Sequence, residues 1–137
     1  MKFLRICFPV IFLFFFFSCK KFVENQKEKA AMSFITDGHW EIASYLVDST
    51  SITDQFGGYK FKFNDDGTVD GVNGSQAEKG TWLGNVNDYS ITSEFPSGPP
   101  LNKLNGKWTI KDSGLTYVKA DLPTDSATMH LHLIKVP

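Results

Sequence analysis

The chain has 137 residues, 14 of them Lys or Arg and 15 Asp or Glu, for a net charge of −1. Arg5 is its only arginine. Arginine is the bidentate partner of phosphates and guanine edges, so this composition argues against nucleic-acid binding. Both cysteines, Cys7 and Cys19, lie near the N-terminus, which leaves no thiol in the rest of the chain for a disulfide, a redox centre or a nucleophile.

In chain order, Lys2 and Arg5 frame the start of an apolar run over residues 6–17, closed by Ser18-Cys19. A basic start, a short apolar middle and a small residue before the cut site make a secretory signal peptide. The run is shorter than the ~20 apolar residues of a spanning helix, and an uncleaved anchor helix is the lesser alternative. Ending on Ser18-Cys19, the segment resembles a bacterial lipoprotein signal. That resemblance implies removal of residues 1–18 and acylation of Cys19, the first residue of the mature protein. The expected address is the bacterial cell envelope, lipid-anchored in the outer membrane and facing the periplasm, with the cell surface as the alternative. Lys2 and Arg5 leave with the leader, which takes the basic residues from 14 to 12 against 15 acids. Residues 19–36 read as the lipidated cysteine and a polar tether, with a short helix over 24–31. Residues 37–137 read as one small domain.

Beyond Gly38 the pattern has period two. Tyr59, Phe61 and Phe63 alternate with Lys60, Lys62 and Asn64, a half-buried strand. Asn64-Asp65-Asp66-Gly67 is a turn sequence that leads into a strand over 68–73. Trp82 lies on one face of 78–85, and Asn85-Val86-Asn87-Asp88 turns the chain into 89–93. Trp108 and Ile110 oppose Lys107, Thr109 and Lys111 in 104–111. Asp112-Ser113-Gly114 leads into 115–121, and Met129, Leu131 and Leu133 share a face of 127–136. With 39–47 as the first, these make eight predicted strands joined mostly by short links, with no helix long enough for a crossover. The strands should therefore run antiparallel. Closing into an up-and-down barrel buries their apolar faces and removes open edges; a two-sheet β-sandwich is the runner-up. The predicted interior set is Trp40, Ile42, Phe61, Phe63, Trp82, Tyr89, Ile91, Trp108, Ile110, Tyr117, Leu131 and Leu133.

Gly38-His39-Trp40 matches the Gly-x-Trp of lipocalins. Tyr59-Lys60-Phe61-Lys62-Phe63, Asp66-Gly67-Thr68, Gly80-Thr81-Trp82, Trp108-Thr109-Ile110 and Leu131-His132-Leu133 follow in order. Residues 37–137 thus resemble the small bacterial lipocalin-like domains. The resemblance implies an eight-stranded all-β barrel with Trp40 packed near one end.

An eight-stranded barrel is either filled by side chains or wide enough for one small ligand. The bulky interior set predicts a filled core. The functional alternative is an apolar pocket at the open end, walled by Trp40, Tyr59, Phe61, Phe63, Trp82, Tyr89, Trp108 and Tyr117, for a small apolar or amphipathic molecule. The link Phe95-Pro96-Ser97-Gly98-Pro99-Pro100-Leu101 is the candidate surface for a protein partner, as in an accessory subunit or protease inhibitor. Residues 48–58 form a candidate lid. His39, His130 and His132 are a weak zinc alternative to solvated residues on an outer wall. Asp65, Asp66 and Asp70 lack the later ligands of a calcium loop and read as turn-formers. With no cysteine nucleophile and no Gly-x-Ser-x-Gly elbow, the expectation is a non-enzymatic binding module without a cofactor, held to a membrane through Cys19.

Overall fold

The computed structural model describes residues 33–137. The expectations for the leader, for Cys19 and for the helix over 24–31 lie outside the described residues. In chain order the strands are β1 (His39–Val47), β2 (Thr50–Ser51), β3 (Lys60–Phe63), β4 (Thr68–Asn73), β5 (Gln76–Asn85), β6 (Ser90–Glu94), β7 (Gly106–Ser113), β8 (Tyr117–Pro123) and β9 (Thr128–Val136). Short 3-10 turns occupy Thr53–Phe56 and Leu101–Leu104. From β3 to β9 each strand pairs antiparallel with the next. β9 then returns to β1, from His39↔Val136 to Val47↔Met129. The result is a closed eight-stranded antiparallel barrel of β1 and β3–β9, with β2 folded back on the end of β1. First and last strands pair along nearly their whole length, which rules out the two-sheet sandwich.

Closure is uneven. β1 meets β3 through a single register pair, Trp40↔Phe61. The chain enters at the lower end of this seam. Residues 33–36 form a helical turn whose Ile35 is fully buried. Trp40, also fully buried, donates its indole N–H to the Ile35 carbonyl at 2.9 Å, and the Lys135 ammonium sits 5.3 Å from the centre of the Trp40 ring. Lys62 donates to the Thr36 carbonyl. Residues 33–36, within the segment expected to be tether, pack onto the barrel, because the apolar side chain of Ile35 completes the floor beneath Trp40.

The interior departs from the expected set at Tyr45, Tyr117 and Tyr89. A β-bulge between Ile42 and Ser44 leaves Ala43 unpaired. The bulge shifts the alternation, so that Tyr45 rather than Ser44 points inward, and Tyr45 is 2 % exposed. On β8, Val118 pairs with inward Leu133 and Ala120 with inward Leu131. Directly paired residues share a face, so Tyr117 lies on the outer wall. The bulkier residue of β8 suggests the wrong phase because the interior position is filled by small Ala120. Tyr89, also expected inside, is 41 % exposed at a turn, where its hydroxyl is 2.8 Å from that of Ser113.

Candidate functional site

The barrel's upper end carries the links 48–59 and 95–105, and both turn their apolar residues inward. Phe95, Leu101 and Leu104 are buried. Gly80 and Gly71 make room for them. A Cβ at Gly80 would collide with the Glu94 carbonyl and stand 2.8 Å from the Phe95 ring, and one at Gly71 would stand 3.0 Å from Leu101. Asn105 clamps the base of the link, accepting from the Phe95 N–H (2.6 Å) and donating to its carbonyl (3.2 Å). Trp108 donates to the Leu104 carbonyl at 2.9 Å. The candidate lid is fastened to this plug. Phe56 stacks on Tyr45 at 5.2 Å, Tyr45 donates to the Lys103 carbonyl at 2.6 Å, and Lys103 donates to Gln55. Of the expected partner loop, Pro96, Gly98 and Pro99 are exposed and Ser97 and Pro100 are half-buried; Phe95 and Leu101 belong to the core. A Pro-rich link has no period from which a burial direction can be taken, so sequence alone does not distinguish its buried side chains from its surface ones.

Below this plug the interior encloses a cavity of about 50 Å³, walled by Ile42, Phe61, Phe63, Ile91, Trp108 and Leu131 among others. Its one polar lining residue, Ser93, donates to the Leu104 carbonyl. Pockets for small molecules run from ~300 Å³ upward. The eight aromatics nominated for a ligand pocket do not converge. Phe61, Phe63 and Trp108 touch this cavity, while Trp40 is sealed beneath it. Tyr59 stacks on Phe61 at 6.1 Å. Trp82 packs edge-on against Phe63 at 5.6 Å and donates to the Asn64 carbonyl at 2.9 Å. Tyr89 and Tyr117 face outward.

The three histidines are separated by register. His39 pairs with Val136, whereas His132 pairs with Ser44 and His130 with Leu46, four and six positions back along β9. Among the described residues no three His, Cys, Asp or Glu side chains come together as a metal site. His130 instead meets Asp121 at 2.7 Å. The His132 ring lies edge-on to Tyr117 at 6.3 Å. Tyr117 donates to Asp112 at 3.0 Å, and that hydrogen bond pushes the phenol above its ordinary range.

The larger concavity is on the outside. At the thinly paired β1–β3 seam, a groove of about 540 Å³ is lined by His39, Gly58, Lys60, Lys62, Asp70, Val72, Gly74 and Ala77. Alternation on β3 puts Phe61 and Phe63 into the core and therefore both lysines outside. Register carries the row on across the wall, Lys62 beside Asp70 and Asp70 beside Lys79. In the sequence these lysines are only the wet side of a strand, because which outer residues line one concavity depends on where the sheet closes.

No protein-family model matches the chain, and no curated protein matches it. Among solved structures, a crystal structure of a DUF4847 family protein from Bacteroides vulgatus ATCC 8482 is similar, with a TM-score of 0.55 at 16 % identity. The similarity covers 76 % of this chain and 96 % of that one. At that identity the likeness speaks for the fold. Together with strand order and closure, it defines the fold as a small closed eight-stranded antiparallel barrel.

Proposed function

We propose that this protein is a non-enzymatic envelope lipoprotein, acylated at Cys19, whose lipocalin-like barrel recognises its ligand on the outer wall rather than in a calyx. The observation that carries the reading is the contrast between an interior of about 50 Å³ and an external groove of about 540 Å³. Neither end supplies an open mouth of apolar residues: Phe95, Leu101 and Leu104 plug one and Ile35 packs against Trp40 at the other. The anchor rests on the basic start, the apolar run and Ser18-Cys19. Acyl chains at Cys19 would hold the protein in the bilayer, each buried CH₂ contributing ~0.8 kcal/mol.

Metabolic labelling with an alkyne palmitate analogue tests the anchor. Label is expected on a mature chain that begins at Cys19 and is absent from Cys19→Ala; an unlabelled chain, or one beginning elsewhere, would overturn it. Titration with the apolar fluorophore N-phenylnaphthylamine tests the wall reading, with no saturable binding expected. Saturable binding that Ala120→Leu abolishes would restore the calyx.

A further inference from the structure

Two outer grooves carry lysines: a smaller one of about 310 Å³ sets Lys111 and Lys119 among two acids, Asp112 and Asp121, whereas the larger groove at the β1–β3 seam has a single acid. Two lysines of one strand face, Lys60 and Lys62, line it together with His39. The side chains of Lys60 and His39 make no hydrogen bond or ion pair among the described residues. Lys62 donates to the neutral Thr36 carbonyl, so its charge is not cancelled. The one acid lining the groove, Asp70, is already engaged by Lys79 at 3.7 Å and by the Asn64 amide at 3.0 Å. Glu41, the next outward residue on β1, pairs toward β9 and is not part of the lining. On a chain whose net charge is −1, this is a local surplus of positive charge. Beside it lies an apolar floor of Val72, 37 % exposed, and Ala77, while Gly58 and Gly74 add no bulk. Cationic donors next to a short apolar shelf suit an anionic headgroup still attached to its hydrocarbon.

Position selects the source of that headgroup. Lys62 holds Thr36, so the groove opens beside the point where the chain arrives from Cys19. Residues 20–32 between them reach at most about 45 Å when fully extended, which keeps this wall within range of the bilayer. The barrel's lower rim is acidic instead. It carries Asp65 and Asp66, both exposed, while Asp37 is paired with Lys135 at 3.5 Å. Hydrogen bonds from the Thr68 hydroxyl and N–H hold Asp66 below the usual carboxylate range, so it stays ionised. An anionic surface therefore repels the rim and attracts the wall.

We propose that the β1–β3 groove binds the phosphate headgroups of anionic phospholipid in the membrane that holds the chain, laying the barrel on its side. This rests on the acyl anchor argued above. The test uses the full mature lipoprotein reconstituted in phosphatidylcholine vesicles with or without phosphatidylglycerol, footprinting lysines with an amine-reactive ester. Lys60 and Lys62 should be protected only when phosphatidylglycerol is present, and less so at high salt. Lys111 and Lys119, on the opposite wall, should label equally in both. The tether's own Lys20, Lys21, Lys27 and Lys29 also feel an anionic surface, so Lys60→Glu and Lys62→Glu are compared on an unchanged tether. Each substitution reverses the charge, a change of two units, so it should weaken the preference for anionic vesicles about 25-fold, with the melting temperature retained in Lys60→Glu.

Equal labelling of Lys60 with and without phosphatidylglycerol would overturn the proposal. So would protection by soluble glycerol phosphate on phosphatidylcholine vesicles with none from phosphatidylglycerol, which would make the groove a site for free phosphate esters. Failure of the anchor reads differently. The protein would then not float with pure phosphatidylcholine vesicles at all, while any phosphatidylglycerol-dependent flotation abolished by Lys60→Glu would still report on the groove.

Discussion

The barrel's interior and its seam groove are built from opposite faces of the same strand. On β3, Phe61 and Phe63 point in and are 2 % and 8 % exposed, whereas Lys60 and Lys62 point out. Inside, aromatic bulk and two tailored glycines leave about 50 Å³. Outside, the sheet is joined to β1 by one register pair, and small residues leave roughly ten times that space. Closing the wall thinly at one seam creates a recessed, charged surface without opening the core. The core can therefore be optimised for packing while the groove keeps cations that a filled calyx has no room for.

The largest expected effect lies inside. Trp40→Ala removes a fully buried indole that bonds Ile35 and lies under Lys135, and should destabilise by about 3–5 kcal/mol in denaturant unfolding. Lys60→Ala, from the opposite face, should stay within ~0.5 kcal/mol. A loss below about 1 kcal/mol at Trp40 would remove the distinction between the two regions.

Next is Gly80→Ala. Its new Cβ meets the Glu94 backbone and the Phe95 ring with no flexible atom to yield, so about 1–3 kcal/mol of overpacking is expected. If the variant unfolds like the wild type, the plug is looser than described and an entrance to the interior opens.

The smallest effect is at Tyr45, where the lid meets the plug. Tyr45→Phe should cost about 1 kcal/mol near neutral pH by removing the hydrogen bond to Lys103. Burial pushes the Tyr45 phenol from 10.0 up to about 12. The folded state thus holds the proton more tightly than the unfolded chain. That contribution is whole below pH 10 and is lost as pH rises toward about 12. Subtracting the Tyr45→Phe stability curve from that of the wild type should isolate this decline. An unchanged difference across that window would place the Tyr45 ring in water, and the lid open.

Much of the architecture is legible in the sequence because period-two alternation is a local property of the chain. The β3 and β4 patterns, Trp40, Trp108, Leu131 and Leu133 all fall on the faces where alternation puts them. Legibility fails where alternation breaks or small residues replace large ones. The bulge at Ala43 puts Tyr45 into the core, Ala120 rather than Tyr117 fills the β8 interior, and the aperiodic Pro-rich link hides the burial of Phe95 and Leu101.

Taken alone, the sequence determined the class of fold, since hydrophobic faces recurring every second residue over eight short segments bury most completely by closing on themselves. It also set the chemistry available beyond residue 19: lysines without arginine, and no thiol. Only the tertiary structure decided that the interior is nearly full, that the Pro-rich link is a plug, that the histidines stand apart, and that Lys60, Lys62 and His39 share one groove. These depend on register and on where the barrel closes, and both are set by contacts between residues far apart in the chain.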